Sequence, residues 1–404
     1  MQVSSRDLVR VPVPPGPEGP ERLLPALADA LAGIGPAIAP VPVVSATVSA
    51  DYVTSVLRAM HLDDRLPLES DDVAAIVSTS GSTGDPRGVL LTAGNLTALT
   101  AAVQGHDRPQ WVIALPVTSI GGMNVLVRAL AAGRDPIPVA SIGGAGPFRP
   151  EEFVRAVEQA MAVTDDVRVS LVPAQVTRLL SDAAATDALQ ACRRVLVGGA
   201  GMRPALRTVT DDLGIPVSST YGSTETGGGC VYDGVPLPGV SVLADPDTGR
   251  LRVTGPSIAL GYRGDAAATA ASFVDGAFLS SDVGSVTEAG IVTVIGRIDD
   301  VVTIGGVNVS PSAAERILGD HPDVAAGAVV ACVDADGDAH LHAFIEVRDA
   351  AADAEDSVRA AVIQHLGRPA RPVVHRVARL PYLPNGKVDR RQLLRWAQED
   401  PSVP

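Results

Sequence analysis

Through the first two-thirds of the chain, short apolar runs stop at proline or glycine and give way to helix-like stretches. This rhythm constrains the fold more than any other feature. Val73-Ala74-Ala75-Ile76-Val77 empties into a Ser/Thr/Gly loop, Trp111 to Leu115 ends at Pro116, Val167 to Val172 ends at Pro173, and Val195-Leu196-Val197 ends at Gly198-Gly199. Between them lie helix-like segments such as Glu151 to Ala162 and Ala174 to Leu180. Strand, loop and helix in repetition predict α/β layers with sites at the C-terminal ends of the strands. From about Val240 the texture turns to β: Asp245-Pro246-Asp247-Thr248-Gly249 is a strong turn, followed by Arg250-Leu251-Arg252-Val253. Beyond Asp299 come a strand, Pro311, a helix from Ser312, an acidic turn at Asp334 to Asp338, and a further strand and helix. That order predicts a small α+β domain. Ala350 to Asp356 reads as a solvated loop.

The whole chain of 404 residues, 46% hydrophobic and 19% charged, has the composition of an ordinary soluble protein. A net charge of −14 argues against nucleic acid as a partner, so any polyanionic ligand must be gripped locally, by backbone N–H groups, a metal or a few arginines. The cysteines Cys192, Cys230 and Cys332 are widely spaced and fit neither a disulfide framework nor a zinc site. Met1 to Gly19 is broken by prolines, and no apolar run is long enough to span a bilayer. These features predict a cytoplasmic protein with no membrane partner; a homodimer stays open.

Two stretches carry chemistry. Ser78-Thr79-Ser80-Gly81-Ser82-Thr83-Gly84-Asp85-Pro86-Arg87-Gly88 follows a strand and precedes a helix expected near Thr92. Hydroxyl residues and glycines at this spacing expose N–H and O–H donors suited to a phosphate, although the pattern is not a Walker A loop. The second stretch is Leu383-Pro384-Asn385-Gly386-Lys387-Val388-Asp389-Arg390, where Lys387 is the only lysine of the chain. Lysine is a compact charge on a flexible stem, unlike the planar fork of arginine, and a solitary one after a turn suits reaching a developing negative charge.

These stretches resemble the adenylate-forming superfamily of acyl- and aryl-CoA synthetases, nonribosomal adenylation domains and luciferases. Its phosphate loop reads T-S-G-T-T-G-x-P-K-G, matched here except for Ser82 and Arg87. The resemblance recurs in order through Gly198-Gly199-Ala200, Tyr221-Gly222-Ser223-Thr224-Glu225, Gly296-Arg297-Ile298-Asp299-Asp300, Gly305-Gly306-Val307-Asn308-Val309-Ser310-Pro311 and Pro384-Asn385-Gly386-Lys387. It implies a large N-terminal domain over residues 1–298 and a small mobile C-terminal domain over 299–404, pivoting at Asp299. It also implies ATP, Mg²⁺ and CoA. A carboxylate attacks the α-phosphate of ATP, and the acyl-adenylate then passes its acyl group to CoA. Lys387 would bridge the attacking carboxylate and the α-phosphate, Thr224 would donate to that phosphate, and Glu225 would hold Mg²⁺. Thr79, Ser80, Gly81, Ser82, Thr83, Gly84 and Arg87 would serve the phosphates. Gly199, Ala200, Tyr221 and Gly222 would line the adenine side, Asp282 would bind the ribose with Arg297 beside it, and Gly305 and Gly306 would face CoA.

A narrower resemblance is to the o-succinylbenzoate–CoA ligases of menaquinone biosynthesis. It rests on Val169-Ser170-Leu171-Val172-Pro173-Ala174-Gln175 and on Gly228-Gly229-Cys230-Val231-Tyr232-Asp233-Gly234-Val235-Pro236-Leu237. It implies an acyl pocket at Ser119, Gln175 and Gly198. Thr118 and Ser119 occupy the place of a histidine in that family, and Ser281-Asp282 replaces its Gly-Asp. Two readings stay open beside it: an enzyme activating another small aryl acid, with an acceptor other than CoA, and a non-catalytic adenylate-binding protein. Asp334 to Asp338 lacks the glycine of an EF-hand loop, and His340 and His342 share a strand face without completing a metal site. Asp299 and Asp300 are consecutive and point apart, which excludes an acid/base pair.

Overall fold

The computed structural model describes residues 5–64, 66–79, 86–298, 302–304, 307–333, 339–348, 353–383 and 387–399. Two sheets organise the first part of the chain. The larger runs in the order Val235–Pro236, Gly228–Tyr232, Val217–Ser223, Arg194–Val197, Val167–Leu171, Gln110–Ile113, Ile137–Pro138. From Val217–Ser223 onward its neighbours pair in parallel. Gln110–Ile113 explains why these runs are apolar throughout. Trp111 and Ile113 enter one core and Val112 the opposite one, all three fully buried, so both faces of the strand must be apolar.

The second sheet takes the order Leu8–Val13, Ala37–Pro42, Val73–Ser78, Gly88–Thr92, Gly261–Tyr262. Helices Glu18–Ala32 and Ile120–Ala132 lie between the two sheets, where Leu23, Leu27, Met123 and Leu126 share a core with Val77, Leu91, Trp111 and Ile113. On the far face of the larger sheet, helices Pro150–Met161, Ala183–Ala191 and Pro204–Asp212 contribute Phe153, Leu189 and Leu206. The layered α/β architecture read from the alternating pattern is therefore present.

The helix expected near Thr92 is present, and a strand that the sequence reading did not name precedes it. Val73–Ser78 pairs antiparallel with Gly88–Thr92, so the stretch joins two strands of one hairpin. Thr79 and Arg87 close it: Thr79 N donates to Arg87 O at 2.8 Å, and Arg87 N donates to Thr79 Oγ1 at 2.9 Å. The reason is burial. Val89, Leu90 and Leu91 are apolar and inside, and they extend the sheet before any helix can start. The helix begins at Ala93, with Thr92 and Asn95 forming a capping box.

A β-rich part follows, with strands Ser241–Ala244, Arg250–Thr254, Ala277–Val286 and Phe273–Val274 in order and Val292–Arg297 paired with Ala277–Val286. Its turn is built as expected: Asp245 Oδ1 accepts from the N–H groups of Asp247 and Thr248 and from Thr248 Oγ1. The C-terminal part has its own sheet, Val324–Val333, Ala339–Val347 and Pro372–Arg376. Leu341, Ala343 and Ile345 face helices Pro311–Asp320 and Ala354–Leu366, while Phe344 faces Arg390–Glu399, the period of a two-sided strand. The reading of Ala350 to Asp356 as a solvated loop fails at its end: residues 349–352 lie outside the described residues, but Ala354 to Asp356 open a helix and Ala354 is fully buried. Its Ala/Glu/Asp composition fits the first turn of a helix as well as a loop. The acidic stretch Asp334 to Asp338 lies outside the described residues. All three cysteines are free and buried. Among the described residues no helix is long and apolar enough to cross a membrane.

Candidate active site

The parallel strands of the larger sheet deliver the predicted residues to one edge, as their C-terminal ends converge there. Gly198 and Gly199 follow Arg194–Val197, Thr224 and Glu225 follow Val217–Ser223, and Pro173 lies just past Val167–Leu171. Close approach of backbones explains the glycines. A methyl built on Gly198 would stand 2.2 Å from Thr220 Oγ1, and one on Gly222 1.9 Å from Gly228 O. Gly199 has φ +79°, a left-handed conformation that favours glycine. Gln175 and Ser119 fasten this edge. Gln175 Oε1 accepts from Val172 N at 2.9 Å and its Nε2 donates to Ala114 O at 3.0 Å, clasping two neighbouring strand ends. Ser119 Oγ donates to Pro116 O at 2.7 Å and caps helix Ile120–Ala132. Both polar groups thus hydrogen-bond to the backbone at this edge.

Strand pairing sets the next group. Ala277–Val286 and Val292–Arg297 place Asp282 opposite Arg297, with Arg297 Nη1 3.8 Å from Asp282 Oδ1. Tyr221 OH donates to Asp282 Oδ2 at 2.8 Å, and Ser280 Oγ donates to the same oxygen at 2.9 Å. Burial, reinforced by the charge of Asp282, pushes the Tyr221 phenol well above its ordinary value, so it stays a donor. Ser280 was missed by the sequence reading. Its spacing of two from Asp282 puts both on one face of a strand, a signal the sequence did contain.

Glu225 forms a second centre. Tyr262 OH donates to Glu225 Oε1 at 3.0 Å. The guanidinium of Arg87 lies over the Tyr262 ring, 5.1 Å from its centroid, and its Nε stands 3.8 Å from Asp265 Oδ2. Thr224 is buried beside them, and the Ser223 hydroxyl is buried without a hydrogen-bond partner among the described residues. Thr79 sits at the hairpin base below Arg87. Gly261-Tyr262-Arg263 has no pattern that would have singled out Tyr262 beforehand.

Lys387 reaches this edge from the C-terminal part. Leu383 N donates to Lys387 O at 2.7 Å, and Tyr382 bridges to Val388. The Lys387 stem crosses the glycine loop: a methyl on Gly199 would lie 3.7 Å from Lys387 Cε. Burial holds the Lys387 ammonium below its ordinary value, and Arg297 adds to this, whereas Glu225 and Asp282 oppose it. The lone lysine therefore stands within the electrostatic reach of both carboxylate centres. Contacts outside the site hold the two parts together: Arg203 Nη1 donates to Gly319 O at 2.8 Å, and Arg316 donates to Ile295 O.

The structure brings together Thr79, Arg87, Gly198, Gly199, Tyr221, Gly222, Thr224, Glu225, Asp282, Arg297 and Lys387 along one edge, with the exposed Ala200 following Gly199. Ser80, Gly81, Ser82, Thr83, Gly84, Asp299, Gly305 and Gly306 lie outside the described residues. The donor set suits a nucleotide and a hard cation. It offers a carboxylate fixed at one oxygen, a second carboxylate among hydroxyls, guanidinium and ammonium groups, and glycines where side chains would fill the space.

Comparison with known proteins agrees. The family model of the AMP-binding enzymes matches residues 36–263. A protein of Mycobacterium tuberculosis named "Probable 2-succinylbenzoate–CoA ligase" is 38% identical over 387 residues, which cover 92% of this chain and 94% of that protein. Among solved structures, an amide bond synthetase from Marinactinospora thermotolerans superposes with a TM-score of 0.76 at 22% identity, over 98% of this chain and 90% of that one. The o-succinylbenzoate CoA synthetase of Bacillus subtilis, in complex with its acyl-adenylate intermediate, superposes at 0.74 and 20% identity, over 97% and 88%. Motifs, fold and relatives converge: the chain belongs to the AMP-binding enzyme family.

Proposed function

We propose that the chain is an AMP-forming acid–CoA ligase that activates 2-succinylbenzoate with ATP and transfers the acyl group to CoA, a step toward menaquinone. The observation that carries the chemistry is Lys387. The only lysine of the chain arrives from the C-terminal part, crosses Gly199 and comes within the fields of Glu225 and Asp282. A transferable phosphoryl group needs positioning and charge neutralisation more than covalent help. In this reading Lys387 neutralises charge between the attacking carboxylate and the α-phosphate, and Thr224 donates to that phosphate. Asp282, held by Tyr221 and Ser280, accepts from the ribose hydroxyls. Ser80, Ser82, Thr83 and Arg87 serve the outer phosphates. Bound at Glu225, Mg²⁺ would shield the phosphate charge. Gln175 and Ser119 hold the strand and helix ends that border the acyl group.

The identity with the Mycobacterium tuberculosis protein extends over nearly the whole of both chains, which supports the same substrate. We read residues 299–404 as the mobile part, pivoting at Asp299 to exchange Lys387 for Gly305 and Gly306 before CoA attacks. With free, buried thiols, the chain suits the reducing cytoplasm. Incubation of the purified protein with 2-succinylbenzoate, ATP·Mg²⁺ and CoA is expected to yield the CoA thioester, AMP and pyrophosphate in equal amounts. Turnover of simple benzoates with none of 2-succinylbenzoate would overturn the substrate and leave the adenylation chemistry intact.

A further inference from the structure

Glu225 is gripped twice by one short segment. Ala259 N donates to Glu225 O at 2.9 Å, and three residues later Tyr262 OH donates to Glu225 Oε1 at 3.0 Å. That segment is itself welded to the strand leaving the phosphate hairpin. Gly261 and Tyr262 pair with Leu90 and Val89, and Arg263 N donates to Gly88 O at 2.8 Å. The Tyr262 ring has little freedom. It is 5% exposed, meets Phe273 edge-on at 5.3 Å, and its backbone N–H donates to Thr269 Oγ1 at 2.9 Å. Behind it the buried Arg263 binds Glu69 at 2.9 Å and the carbonyls of Leu66 and Pro67. The phenol is a fixed post with two faces of use: its hydroxyl holds Glu225 and its ring carries the Arg87 guanidinium.

We infer that Tyr262 is a positioning residue that locks the Glu225 carboxylate for its metal and ties it mechanically to the phosphate hairpin, with Arg87 held by stacking on the same ring. This rests on the reading of Glu225 as the metal-holding carboxylate and goes beyond it. A hydrogen bond from a fixed donor leaves the other carboxylate oxygen aimed in one direction, so less orientational freedom is lost when a cation binds. Stacking needs the flat, delocalised guanidinium, and a lysine ammonium would not lie on the ring in the same way.

Tyr262→Phe tests this because it keeps the ring, and with it the packing and the Arg87 contact, and deletes one hydroxyl. The probe is Mn²⁺, titrated by electron paramagnetic resonance in the presence of saturating ATP and without any acyl acid. Tyr262→Phe is expected to weaken Mn²⁺ binding on the order of tenfold, the loss of one hydrogen bond to a charged group. Glu225→Gln is expected to weaken it as well, and the double variant to lose little beyond Glu225→Gln alone. Wild-type Mn²⁺ affinity in Tyr262→Phe, beside a weakened Glu225→Gln, overturns the inference alone. Unchanged affinity in Glu225→Gln overturns the metal-holding reading and the inference with it. For the stacking half, Arg87→Lys is expected to weaken ATP binding by calorimetry in the wild type and to have no further effect in Tyr262→Leu. An equal loss in both backgrounds removes the ring from the account of Arg87.

Discussion

Lys387 occupies a corner where burial and Arg297 push against its charge while Glu225 and Asp282 pull for it, and burial prevails. A lysine in that balance holds its proton less firmly than a free one. Because no other lysine exists in the chain, this can be observed directly. Reductive ¹³C-methylation labels Lys387 and the N-terminal amine alone, and the lysine signal is expected to titrate at lower pH than in the same labelled protein unfolded. The sign follows from the lowered value: the folded ammonium gives up its proton first as pH rises. Titration at or above the unfolded value would mean that Glu225 and Asp282 dominate instead. Legibility at this scale was uneven. Lys387 stood out because composition isolated it, Tyr221, Thr224 and Glu225 because they form a motif, and Asp282 because it matches the family's ribose-binding acidic residue. Gln175 and Ser119 were visible as motif letters, but a sequence does not say whether an amide faces a ligand or a carbonyl, and here both face the backbone. Tyr262 was illegible because its importance comes from a contact across 37 positions of sequence.

At the scale of elements, the apolar runs ending at Pro116, Pro173 and Gly198 located the strands to within a residue or two, since burial on both faces leaves no alternation to misread. The helix near Thr92 was legible, but the strand Gly88–Thr92 before it went unnamed, because a short apolar run is a pattern that strand and helix share. The C-terminal sheet holds an element property that periodicity only hinted at. His342 and His375 lie on adjacent parallel strands with their ring nitrogens 3.0 Å apart, stacked at 5.3 Å, and His375 also stacks on Phe344 at 4.6 Å. Burial, helped by His375 and His340, pushes the His342 imidazole down to about 4 from an ordinary 6.5. The fold thus holds the neutral ring, whereas the unfolded chain takes up a proton below about pH 6.5. Between those two values the unfolded state binds more protons, so stability falls as pH falls through that window. Thermal melting of His342→Gln should depend less steeply on pH there than that of the wild type. Parallel curves would show that the pair carries no linkage.

For the whole molecule the central question is how the two parts meet, because in the proposed function Lys387 acts only when the C-terminal part is seated on Gly199. Gly319 is well placed to probe that seat. It lies near the end of helix Pro311–Asp320, its carbonyl accepts from Arg203 Nη1, and a methyl added to it would stand 2.6 Å from Arg203 Cδ. Leucine is a far better helix former than glycine, by up to about 1 kcal/mol in a helix interior. Gly319→Leu should therefore leave the C-terminal part at least as stable by itself while obstructing the arrangement that brings Lys387 to the site. If residues 299–404 do pivot, the two half-reactions will part company. Formation of the acyl-adenylate from ATP and 2-succinylbenzoate is expected to drop on the order of tenfold or more, since a misplaced catalytic group is costly even at short displacement. Thioester formation from supplied acyl-adenylate and CoA should persist, because in the proposed function that step uses another placement of the same part. Lys387→Ala provides the reference: the same division between half-reactions, with a larger loss, on the order of 10²–10³, because the charge itself is gone. Equal losses in both half-reactions for Gly319→Leu, with the melting temperature unchanged, would mean that the parts act as one rigid body and that Lys387 never leaves its place over Gly199.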